Sequence, residues 1–144
     1  MMATRYDSDF HGWTQEQANL LRANNLNQLD TKNLLEEIES MGRSERRELR
    51  SRLEILLAYL LKWQYQPEKS GRSWQLTIEE QRAKIMECLD DSPSLKNKLN
   101  EHLEKAYASA RRLAENETQM SQSIFPKHCP WTFEQIISSE FFPD

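Results

Sequence analysis

Glycine and proline are scarce in this chain, with three and five among 144 residues, and no stretch alternates apolar and polar side chains for long enough to read as a strand. Both absences argue against a sheet protein, whose turns draw on those residues, and point to an all-helical chain. Two cysteines, Cys88 and Cys129, have no metal-type spacing; the expectation is two reduced thiols in a cytoplasmic protein. The longest apolar run, Ile55 to Leu61, has seven residues, where a membrane-crossing helix needs about 20. The first ten residues, MMATRYDSDF, hold no apolar signal core, so a soluble protein without membrane contact is expected. Three histidines, His11, His102 and His128, are scattered, and the Glu-x-x-His pattern of bundle di-metal sites does not occur; no metal and no cofactor is expected. Phosphate-binding glycine loops and nucleophile elbows are missing too.

What the chain has is a helix-period stripe. Leu34, Ile38, Met41, Leu49, Leu53, Leu56, Leu60 and Trp63 recur at steps of three, four or eight, which at about 100° per residue holds them on one face. The stripe keeps phase across Gly42 and predicts one long helix, kinked at most, capped by Asp30 and ended by Pro67. Its stretch from Ile55 to Leu61 is apolar on every side and should be wrapped by other helices. Thr14 and Gln17 form a capping-box pattern that predicts a short first helix from about Gln15 to Ala23, stopped by Asn24 and Asn25. Ser73 is the expected cap of a third helix bearing Trp74, Ile78, Ile85 and Leu89. Ser92 and Pro93 are expected to open a fourth, with Leu95, Leu99, Leu103, Ala106, Ala110 and Leu113 on its face and its end near Glu117. Residues 118 to 131 read as irregular, and Thr132 with Gln135 as a capping box for a terminal helix. Phe141, Phe142 and Pro143 read as a tail that docks on the rest. One all-helical domain, residues 1 to 144, results: an up-and-down bundle with a long central helix over about 31–65, two further main helices and short terminal ones.

Charge is uneven. Residues 1–42 carry three basic and seven acidic side chains, residues 43–84 ten and six, and residues 85–144 six and ten, within a net charge of −4. Acid–base spacings such as Glu39 to Arg43 and Glu48 to Arg52 mark much of the basic run as a self-paired, solvated helix face. Glu45 and Arg52 differ, because they fall on the apolar stripe, as Gln81 and Arg82 do on the third helix. A charge entering a helix interface is costly unless paired, so Glu45 with Arg82 is the expected interhelical ion pair, and Tyr59 can add a hydroxyl to this polar interior. A second set, Lys62, Trp63, Tyr65, Lys69, Arg72 and Trp74, interleaves cations with aromatics, a pattern able to stack bases and neutralise phosphates; more simply, its aromatics are core and its cations a solvent rim. His128 beside Cys129 suggests an activated thiol only weakly, since neighbours in sequence rarely face each other productively.

The segments YDSDFHGWTQEQANLLR, LDTKNLLEEIESMGRSERRELRSRLEILLAYLLKWQYQPE, SWQLTIEEQRAKI, DSPSL and FPKHCPWTFEQI resemble the bacterial, mainly cyanobacterial, family called domain of unknown function 29. The resemblance covers nearly the whole chain and implies an all-helical bundle. It implies no catalytic residue, cofactor or substrate. Family members often have His at the position of Tyr59, so the resemblance supplies no metal or acid–base site that would use that imidazole. The functional expectation is a non-enzymatic protein-interaction or regulatory module with a protein partner. The alternatives are a nucleic-acid-associated protein using the basic middle, which the acidic flanks disfavour, and an enzyme or small-ligand binder using Glu45, Arg52 and Arg82.

Overall fold

The computed structural model describes residues 5–144. Helices dominate and no strand occurs among the described residues. The longest helix, α3, runs Thr31–Tyr65 without a break, so the chain does not reverse at Gly42. The chain divides into two compact units, residues 1–43 and 44–144.

In the first unit, α1 spans Arg5–Ser8 and α2 spans Phe10–Arg22. Helix α2 begins five residues before the expected Gln15. The reason is Asp9, whose carboxylate accepts from Gly12 N at 3.0 Å and caps the helix; an acid at this position satisfies a backbone N–H left free by the first turn. Thr14 is inside the helix, where its hydroxyl donates to His11 O. Gln17, the other half of the expected box, is buried and accepts from Asp30 N at 2.8 Å. Asn24 takes a left-handed φ of 59° after the helix end, a conformation asparagine tolerates better than most residues. Trp13 is the buried apolar anchor, packed against the rings of Tyr6 and Phe10, and its Nε1 donates to Asp30 Oδ2 at 3.0 Å. Asp30 caps α3 through Asn33 N. Hydrogen bonds from Asn33 lead the causes that hold its carboxyl below the usual range.

The second unit is built on the C-terminal part of α3, where Leu49, Leu53, Leu56, Leu57, Leu60 and Leu61 are fully buried. Pro67 opens a one-turn 3-10 segment, and α4 follows over Arg72–Asp91. Gly71, not Ser73, sits at its cap position. Pro93 leads a six-residue 3-10 turn in place of the expected α-helical start. It is closed by Leu95 N on Ser92 O and pinned by the burial of Leu95, so α5 begins later and spans Leu99–Thr118. Its small residues Ala106, Ala110 and Ala114 are buried in the same core. Residues 119 to 131 are mostly irregular, and α6, Phe133–Ile137, carries the expected Thr132–Gln135 capping box. The tail docks: Phe142 packs on Trp63 with ring centres 4.7 Å apart, and Phe141 lies edge-on to Trp131.

Candidate functional site

Glu45 lies on α3 four residues before Leu49, in phase with the buried stripe but beyond the point where cover begins. It is exposed, and among the described residues its one hydrogen-bond partner is Ser92 Oγ, which donates at 3.5 Å. The expected Glu45–Arg82 pair does not form. Arg82 is 5% exposed and donates Nε to Ile136 O at 2.7 Å and Nη2 to Phe141 O at 2.5 Å, with its guanidinium 5.2 Å from the Phe142 ring centre. The tail's backbone, not a carboxylate, satisfies this cation. Burial pulls its pKa down, as expected when a charge leaves water for neutral carbonyl partners. Gln81 is buried beside it in sequence, its Oε1 without a protein partner among the described residues, as is Arg82 Nη1. Arg52 is half-buried and acts on Cys88, where it opposes the dominant burial effect that pushes that thiol up. Glu45 and Arg82 therefore take separate partners rather than each other.

Tyr59 belongs instead with the second set. Its ring lies edge-on to Trp74, and the Lys62 ammonium sits over both rings, 4.1 Å and 4.7 Å from their centres. Lys62 is 7% exposed and donates to Glu117 on α5 at 2.6 Å. Cation–π attraction and an ion pair thus hold the lysine inside. Trp63 is taken up by Phe142, and Tyr65 by Phe125. Of the six residues, Lys69 and Arg72 alone are exposed.

Cys129 donates its thiol to Trp131 O, and burial pushes it up to about 11, which keeps it a thiol at neutral pH. His128 points elsewhere: its side chain is exposed and lies 3.5 Å from Glu104. Among the described residues no three His, Cys, Asp or Glu side chains come together as a metal site, and no helix is long and apolar enough to cross a membrane.

A family model described as a domain of unknown function, DUF29, matches residues 5–142, nearly the whole chain. This chain is a DUF29 protein. No curated protein and no solved structure matches it significantly.

Two arrangements in this DUF29 chain escaped the pattern of the sequence. The first is a polar contact between α3 and α5, where Arg50 Nε donates to His102 Nδ1 at 3.0 Å. Since a guanidinium only donates, Nδ1 must carry the lone pair and His102 is neutral with its proton on Nε2. Burial, then Arg50, lead the causes that hold its pKa below the ordinary 6.5. The signal available was a histidine at the edge of an apolar stripe and an arginine in a run, which names no partner. The second is apolar and lies in the first unit: Leu35, Ile38 and Met41 on α3 are 58%, 62% and 63% exposed. Periodicity places Ile38 and Met41 on the same stripe as the buried Leu49 and Leu53.

Proposed function

We propose that this DUF29 protein is a non-enzymatic cytoplasmic interaction module, acting as one all-helical domain, whose N-terminal unit docks a protein partner. The observation that carries the reading is the exposed stripe of Leu35, Ile38 and Met41. Large apolar side chains scattered singly are ordinary on a surface, but three at steps of three on one helix form a patch of the kind that partners cover. Glu36, Glu37 and Glu39 flank the stripe in a segment that is acidic as a whole. The fitting occupant is therefore an amphipathic segment of another protein, apolar on one face and rimmed by Lys or Arg. The single family model across both units supports the one-domain reading.

The test compares the wild type with an Ile38→Glu, Met41→Glu double variant. Proteins and nucleic acids captured from the native cell are identified, and each captured protein is then made recombinantly and titrated directly. A partner that binds the wild type, loses at least about tenfold in affinity with the variant and weakens as salt rises supports the reading. Equal binding to both forms overturns it. Capture of nucleic acid alone, or self-association that the variant abolishes, overturns the choice of occupant.

A further inference from the structure

A groove of about 340 Å³ lies between α3 and α5, wholly within the second unit, lined by Arg47, Arg50 and Ser51 from one helix and Lys105 and Ser109 from the other. Buried Ala106 also lines it, and Glu54 is its one acidic lining residue. We propose that this groove binds a small ligand bearing a phosphate group.

Three features of the lining carry the inference. First, its donors are of the kind and number that a multiply charged oxyanion uses: two guanidinium forks, one ammonium and two hydroxyls. Arginine forks match the geometry of phosphate oxygens, and charge-assisted bonds of this type are the strong ones. Second, one fork is already set in place. Arg50 spends Nε on the buried imidazole of His102, which fixes the plane of its guanidinium and leaves both Nη groups for a ligand. The ordering cost that binding would otherwise incur at this long side chain is reduced. Third, the local field is positive. Arg50, Arg46 and Lys105 all act against a proton on His102, with Glu101 opposing them, and Arg112 donates Nη2 to the lining hydroxyl of Ser109 at 3.2 Å. Lys105 shares its charge with Glu101 at 3.2 Å, both side chains half exposed, a contact that a stronger anion can replace. The volume lies at the low end of small-molecule pockets. A nucleic-acid track would need cations repeated along the surface, and here the chain as a whole carries −4.

The proposal is tested by calorimetric titration of the full chain with inorganic phosphate, pyrophosphate and a soluble phosphomonoester, at about pH 8 so that His102 is neutral and at about 50 mM salt. One saturable site in the micromolar to millimolar range is expected for at least one of them. Arg47 and Lys105 are both exposed, so Arg47→Gln and Lys105→Gln should keep the wild-type melting curve and weaken binding by about fivefold or more. Lys96→Gln, which removes an exposed cation outside the groove, should leave it unchanged. Arg50→Gln should abolish binding, and because it also strips His102 of its donor, the two exposed-site variants carry the result independently of folding. Vesicles with a phosphomonoester headgroup that compete with pyrophosphate identify a lipid source; competition by the soluble ester alone identifies a free one. The proposal is overturned if no titrant saturates below about 20 mM, or if Lys96→Gln weakens binding as much as Arg47→Gln. It is equally overturned if a short RNA binds at least about a hundredfold tighter than pyrophosphate and depends on cations outside the groove.

Discussion

Replacing Arg82 by Met is the sharpest probe of how the second unit holds together. The guanidinium supplies the donors for Ile136 O and Phe141 O, and Ile136 is fully buried. Hydrogen bonds from a charged group contribute about 1.5–3 kcal/mol each, and each buried acceptor left without a donor costs about 1–3 kcal/mol. Methionine returns part of this, because it has no charge to desolvate and fills much of the same space beneath Phe142. A net loss of about 3 kcal/mol is expected, a large part of a domain stability of about 5–15 kcal/mol. Urea denaturation followed by circular dichroism measures it. Arg82→Lys should lose about half as much, since one ammonium cannot serve two carbonyls in the fork geometry. Glu45→Gln should stay within about 0.5 kcal/mol, as a solvent-exposed change does, and its effect should add to that of Arg82→Met. A loss below about 1 kcal/mol for Arg82→Met, or a coupling above about 1 kcal/mol between Glu45 and Arg82 in a double-mutant cycle, would refute this account.

Three further outcomes are expected. His102 stays neutral in the fold with its pKa depressed by burial and by Arg50, so as pH falls below 6.5 the unfolded chain takes up a proton that the native state refuses, and stability declines until the folded pKa is reached. His102→Asn, which keeps an acceptor for Arg50, should flatten the melting-temperature profile between about pH 7 and pH 5; parallel profiles would show that His102 does not contribute. For the ion pair of buried Lys62 with solvent-exposed Glu117, Glu117→Gln should cost about 1 kcal/mol because it leaves Lys62 with a weaker partner, while Lys62→Met should cost less, as chemical denaturation can show. Cys129, its thiol raised to about 11 and donating to Trp131 O, should react with iodoacetamide at neutral pH at least about tenfold more slowly than a model thiol; a rate equal to or above the model would mean that its surroundings activate it.

The extent of α3 was legible because its signals are local. Asp30 accepts from the backbone N–H of Asn33, three residues on, and Pro67 has no N–H with which to continue a helix. The capping box at Thr132 and Gln135 is equally short in range. Where two local signals competed, the chain alone was ambiguous: Asp9, not Thr14, caps α2, and Gln17 spends its side chain on Asp30 N. Periodicity likewise fixed the phase of the apolar stripe but not how far along it other helices reach. Leu49 is fully buried while Met41 and Glu45, in phase with it, are exposed. The partners of the buried polar groups were decided by tertiary structure alone. Arg82 finds its carbonyls 54 and 59 residues onward, Lys62 its carboxylate 55 onward, and Arg50 its imidazole 52 onward. Helix spacing tells which way a side chain faces, and a long donor facing inward must be satisfied. Which acceptor satisfies it depends on where the chain returns after its turns, and both of Arg82's acceptors are backbone oxygens, which every residue carries.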